Sequence, residues 1–251
     1  MWGLNAPTNH KGKFMEIKSK EFATMLKRIA VGGVNKECAI ITSPHGSTCE
    51  AVDMTSAMMV HINSPITFGV DTTLGIADIE TLTKYLNNSA NETVDAVVMD
   101  NRLVFTNGNT TFKYLLGKPE TIGTVPESYT EDGLSEIMGI KYSFVIDDKV
   151  KTAYMDMAKI VKPQFVTLTM NRKGRVILEG GTETSNKFDI ILGDVVEPVE
   201  EGVSVRVMGD FFTNILAVLS VDKPAQLRLE EGVVAIVQET DYWVLNHTQD
   251  I

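Results

Sequence analysis

The sequence predicts an α+β fold: two similar domains of antiparallel sheets, each carrying two helices. Three observations lead there. Apolar residues recur at helical spacing in four short segments. Most of the remaining chain alternates as β-strands separated by tight turns. The order of helix and strands then repeats about halfway along the 251 residues.

The first helix is predicted over residues 19–31, where Phe22, Met25, Leu26 and Ile29 fall on one face at i, i+3, i+4 and i+7. Lys20, Thr24, Lys27 and Arg28 fall on the other. A second helix covers residues 77–87, with Ile79, Leu82 and Leu86 inward and Asp78 as its cap. A third covers residues 147–161 and stops before Pro163. Its apolar stripe is Val150, Tyr154, Met157 and Val161, with Lys149, Lys151, Lys159 and Lys162 elsewhere. The fourth, residues 210–219, is nearly all apolar. Strands are predicted at 37–43, 48–64, 94–99, 102–106, 111–116, 165–170, 175–179, 187–192, 203–207, 225–229, 233–239 and 242–246. Short turns such as Lys173-Gly174 and Glu231-Gly232 make neighbouring strands antiparallel.

The repeating unit is a helix followed by a run of strands. The shift from helix one to helix three is about 129 residues, from 19 to 148; from helix two to helix four it is about 132, from 78 to 210. The chain divides into an extension (1–14), a first domain (15–117), a connector (118–139) and a second domain (140–251). The stretch Gly117 to Gly139 holds Glu120, Glu127, Glu131, Asp132 and Glu136 against one Lys, and is too long for a hairpin loop.

Charge is unevenly sorted. The chain carries 23 Lys plus Arg against 33 Asp plus Glu, a net charge of -10, which excludes a protein that coats nucleic acid over its whole surface. Yet Lys18, Lys20, Lys27 and Arg28 crowd one helix, and Lys84, Lys151, Lys159 and Lys162 lie on helices related to it by the repeat. A cationic helical face among acidic connectors and loops suits a polyanion held without base reading. A solvated helix face is the plainer alternative.

No apolar run approaches membrane-spanning length, and no secretory signal is evident. With two cysteines, a reducing cytoplasmic setting is expected. Cys38, His45 and Cys49 form a loose cluster, but zinc prefers four ligands at tighter spacing; packed strand cysteines are the expected reading, with no metal and no cofactor. No phosphate loop or nucleophile–base pattern stands out, so no catalytic residue is assigned and an enzyme is not expected.

The stretch GSTCEAVDMTSAMMVHI (46–62) resembles the strand–turn–strand of PCNA-type DNA sliding clamps. Phe211-Phe212 in MGDFFTNILAVLS resembles their fourth-helix segment. The start after Met15 is similar to a clamp N-terminus, and the ending DYWVLNHTQDI is similar to that of T4-type phage clamps. The resemblance covers Met15 to Ile251. It implies a homotrimeric, pseudo-six-fold ring around duplex DNA that tethers a replicative polymerase and is opened by a clamp loader. For a phage protein the setting is the host cytoplasm. Lys20, Lys27, Arg28, Lys84, Lys151, Lys159 and Lys162 would face the DNA. Val52, Ile122, Val125, Leu134, Val233, Trp243 and Leu245 would form a groove for partner peptides, with Trp243 as an exposed anchor. Residues 110–116 would pair with 175–179 of the next chain through Phe112, Tyr114 and Ile177. The competing reading is a β-rich oligomeric structural or assembly protein without DNA binding. The absence of cations on the fourth helix, with Asp78, Glu80 and Asp156 on helices two and three, implies a modestly positive channel.

Overall fold

Residues Phe165–Met170 alternate between half-buried and buried, with Val166, Leu168 and Met170 inward, as a strand with one face on a core must. The same logic, applied along the chain, gives sixteen strands and four α-helices among the residues that the computed structural model describes: 15–89, 91–126, 143–181, 184–194 and 202–248. The first half runs β1 (Met15–Lys18), α1 (Ser19–Ala30), β2 (Cys38–Ser43), β3 (Gly46–Val52), β4 (Met58–Ser64), β5 (Thr72–Ile76), α2 (Ile79–Asn88), β6 (Thr93–Met99), β7 (Arg102–Asn107) and β8 (Thr110–Leu115). The second runs β9 (Ser143–Ile146), α3 (Asp148–Val161), β10 (Phe165–Met170), β11 (Arg175–Gly180), β12 (Phe188–Asp194), β13 (Val203–Met208), α4 (Gly209–Val218), β14 (Ala225–Glu230), β15 (Val233–Gln238) and β16 (Asp241–Asn246).

The strands form three sheets, ordered β1-β6-β7-β8, β12-β11-β10-β13 and β5-β2-β3-β4-β16-β15-β14-β9. Adding eight to each strand number of the first half reproduces the second. β1-β6-β7-β8 becomes β9-β14-β15-β16, and β5-β2-β3-β4 becomes β13-β10-β11-β12, both present in that order. The repeat read from helix spacing is thus a repeat of topology. The halves join where β4 meets β16 antiparallel, Met58 opposite Leu245 through His61 opposite Tyr242.

The helices pack against these sheets by one face. α1 buries Phe22, Met25, Leu26 and Ile29 as its spacing requires. Asp78 and Asp147 cap α2 and α3, accepting from Thr81 N and Val150 N at 2.9 Å each. α1 ends at Val31 in the left-handed region (φ 44°), and Gly32 follows at φ 67°. A Cβ on Gly32 would lie 2.6 Å from the Asn214 side chain of α4, so this turn packs the halves together. On α3 the stripe differs from expectation. Tyr154 and Ala158 are buried, but Met157 is 36% exposed, because Tyr154 meets Phe188 and Phe212 edge-on and turns Met157 outward.

Two further differences are local. Residues 48–64 break at a turn where the Asp53 carboxylate accepts from Thr55 N and Met58 N. Short β1, β5 and β9 lack a long alternation to announce them. The connector is described to Pro126: Gly117 bridges to Gly75, a 3-10 turn spans Pro119–Thr121, and Ile122 and Val125 are buried. Its remainder, with Leu134, and the proposed extension 1–14 lie outside the described residues. No described helix is long and apolar enough to cross a membrane.

Candidate functional site

The four helices lie in one row. α2 packs on α1, α1 and its terminal turn on α4, and α4 on α3. Along this row Lys20, Lys27, Lys84, Lys159 and Lys162 are exposed. Lys27 Nζ donates to Asn87 Oδ1 at 3.4 Å, tying α1 to α2. Lys84 pairs with Glu80 and Lys159 with Asp156, one helical turn away in each case. The hydrogen bond and charge of each partner hold the Lys84 ammonium above, and the Glu80 carboxyl below, their ordinary values. Exposed pairs of this kind are weak and exchange readily for another anion.

Two of the seven expected cations have other work. Lys151 Nζ donates to the carbonyl of Leu219 at 2.9 Å, at the end of α4, and burial lowers its pKa. Arg28 turns away from the open face. Its guanidinium pairs with Asp241, donates to Gln238 Oε1 at 3.1 Å, and lies 5.1 Å from the centre of the Trp243 ring. It joins α1 of the first half to the β15–β16 turn of the second.

The face of the central sheet opposite the main core carries a second, buried apolar cluster: Met59, Val125, Val233, Ala235, Val237, Tyr242 and Val244, each no more than 9% exposed, with Val52 beside it. Of the expected groove residues, Val52, Val125 and Val233 meet here. Trp243 and Leu245 do not. Both are fully buried in the main core on the opposite face, and Trp243 Nε1 points to the Arg28 carbonyl at 3.4 Å. The reason is parity: β15 and β16 are buried on both faces, so adjacent residues serve different clusters. Ile122 sits instead against Gly75 and Gly117. Starting from Val233 and stepping by two would have found Ala235 and Val237, and their cross-strand neighbours Val244 and Tyr242. A polar hook lies alongside. Glu50 accepts from Val125 N at 3.2 Å and faces His61 Nδ1 at 3.2 Å, and His61 stacks on Tyr242 with ring centres 4.5 Å apart.

No protein-family model matches the chain, and no curated protein matches it in sequence. Solved structures do match. PCNA of A. fulgidus, bound by the C-terminal region of FEN-1, aligns with a TM-score of 0.71 and 15% identity over 95% of this chain and 99% of its own. PCNA of Thermococcus kodakaraensis gives 0.67 and 12% over 94% of this chain and 100% of its own. The DNA polymerase III beta subunit of Thermotoga maritima gives 0.71 and 10% over 95% of this chain but 65% of its own. This chain has the DNA sliding-clamp fold.

Within the clamp fold, the expected edge residues separate. Among the described residues β8 pairs only with β7, which leaves its other side without a strand. Its inward residues are already engaged: Phe112 stacks on Tyr85 at 4.3 Å, and the Tyr114 hydroxyl accepts from Asp78 N at 2.7 Å. Burial pushes that phenol up to about 12. Ile177 is not on an open edge. β11 is paired on both sides, Ile177 standing between Thr169 of β10 and Ile191 of β12, so its backbone has no ladder position left. The open edge nearest it is β12, where Ile191 is 61% exposed. Cys38 and Cys49 are buried free thiols, and among the described residues no three ligating side chains gather for a metal.

Proposed function

We propose that this chain is a DNA polymerase sliding clamp: a homotrimeric ring that encircles duplex DNA and tethers a replicative polymerase after a loader has opened it. The observation that carries the reading is the duplicated clamp topology with two matching open edges. β16 and β4 join the halves inside the chain, and their counterparts under the repeat are β8 and β12, each unpaired on one side among the described residues. Joining β12 of one chain to β8 of the next repeats the internal junction and propagates a heterologous contact that closes into a ring. This replaces the pairing through residues 175–179.

Helices in one row, with Lys20, Lys27, Lys84, Lys159 and Lys162 exposed, then face the DNA without reading bases. Glu80 and Asp156 temper their charge, so retention comes from encirclement more than from affinity. The outer cluster around Val52, Val125, Val233 and Val244 takes partner peptides. That A. fulgidus PCNA is bound by a C-terminal region of another protein supports peptide tails as the kind of partner. Light scattering should give about 83 kDa, three chains of 27.6 kDa. After loading, the ring should stay on closed circular DNA and slip off linear DNA. A stable monomer, or equal loss from both, defeats the proposal; an oligomer that ignores DNA favours an assembly protein.

A further inference from the structure

β14 alternates like its neighbours. Ala225, Leu227 and Leu229 enter the main core, so Gln226, Arg228 and Glu230 face the outer surface of the central sheet. Arg228 stands opposite Ala235 and Ser143, Gln226 opposite Val237, and Glu230 opposite Val233. Three of these neighbours, Ala235, Val237 and Val233, belong to the outer apolar cluster.

Arg228 is 9% exposed, and among the described residues its Nε and Nη1 have no hydrogen-bond partner. Nη2 donates to the neutral Gln226 Oε1 at a long 3.3 Å. Glu230, two residues along the same face, also keeps a buried Oε2 without a partner. Among the described residues no ion pair joins the two. A buried guanidinium without an anion is unfavourable, and its planar fork matches a carboxylate through two parallel bonds. An unpaired donor set and an unpaired acceptor beside this buried apolar cluster, which a partner would reach by displacing what covers it, suit an extended peptide, which offers carboxylate, N–H and apolar side chains together.

We propose that Arg228 is the anion anchor of the outer groove, binding a carboxylate of a docked partner peptide while Glu230 accepts one of its N–H groups. The carboxylate comes from an acidic side chain or from a chain terminus. Docking replaces the Gln226 contact and turns the flexible Arg228 side chain toward the ligand. The inference rests on the peptide-groove reading above and adds the chemistry that selects the peptide.

The test uses the full chain and three fluorescent twelve-residue peptides sharing a Leu-Phe apolar centre. One ends in a free carboxylate, one in an amide, and one in an amide with an Asp beside the centre. Fluorescence polarisation should show one or both carboxylate peptides binding about tenfold tighter than the neutral one; which of them gains identifies the source. Arg228→Met should erase that gain, leave the neutral peptide's affinity unchanged, and keep or raise the melting temperature, since it removes an unpaired buried charge. The inference is overturned if a carboxylate adds nothing, if the gain survives Arg228→Met, or if that variant melts several degrees lower. The last result would mean that Arg228 serves a carboxylate of its own chain, such as those of the acidic connector. If no peptide binds, the groove reading itself fails and takes this inference with it. Binding of the neutral peptide alone sinks only the role of Arg228.

Discussion

The joint inside the chain and the edges left open are built from equivalent strands with different chemistry. At the inner joint, Asn63 N donates to Asp241 at 2.7 Å, Asn63 Nδ2 donates to the Thr240 carbonyl at 2.8 Å, and Arg28 pairs with Asp241. Gln238 is saturated, receiving Ser220 N and Arg28 and donating to the carbonyls of Ser220 and Lys223. Aligning the β15–β16 hairpin with β7–β8 by their turns places Thr110 where Asp241 stands, Asn107 where Gln238 stands, Phe112 for Trp243 and Tyr114 for Leu245. The aromatic and apolar inward positions are kept, and the carboxylate is replaced by a hydroxyl. The joint inside the chain carries a charged lock; the edge proposed to meet the next chain carries none.

The largest effect should follow from breaking the lock. Arg28→Met leaves Asp241 buried without its cation and should cost about 3 kcal/mol of unfolding free energy at neutral pH, measured by urea titration. Burial already raises the Asp241 pKa, with Arg28 acting against it. A carboxyl whose folded pKa is raised favours folding below its unfolded value, and that benefit is lost as pH rises through the folded value. Removing Arg28 raises the folded value further. The deficit should therefore shrink as pH falls through the carboxylate range, and Asp241→Asn in the same chain should recover part of it. A deficit that ignores pH would assign the effect to packing on Trp243.

This lock shows where sequence legibility ended. Helix faces were legible because Phe22, Met25, Leu26 and Ile29 repeat at helical spacing, and the duplicated order of helices and strands carried the architecture. Arg28 shares the polar side of α1 with Lys20 and Lys27, and no local pattern tells a cation that reaches solvent from one bent back across 213 residues of sequence to Asp241 (28 to 241). Trp243 and Leu245 were misplaced for a related reason. In a strand such as Val233–Gln238, apolar at five successive positions, alternation is invisible, and only the pairing of β16 with β4 decides which face is which. Ile177 failed on sheet order, which depends on contacts far apart in sequence.

An intermediate effect should come from the open edges. Leu115 of β8 and Ile191 of β12 are 58% and 61% exposed and stand on the outward side of their strands. Either residue changed to Asp should shift folding stability by no more than about 0.5 kcal/mol. Leu115→Asp with Ile191→Asp should nevertheless drive the proposed trimer toward 27.6 kDa chains in sedimentation. Leu115→Lys with Ile191→Asp should restore assembly through an opposite-charge pair. A trimer indifferent to both combinations would place the joint between chains on other strands and end the analogy with β4–β16.

The smallest effects should lie on the helical row, and they separate its two kinds of lysine. Lys27→Gln with Lys159→Gln removes exposed charge and should reduce the salt slope of DNA retention by about one for each phosphate-facing ammonium removed, leaving assembly and melting unchanged. Lys151→Gln should leave the salt slope alone. Its ammonium caps the Leu219 carbonyl and its pKa is lowered by burial, so the amide keeps much of the hydrogen bond while the salt slope stays as it was. If Lys151→Gln alters the slope as much as the double variant does, Lys151 leaves its cap to meet the DNA, and the division of the row into DNA-facing cations and internal fastenings does not hold.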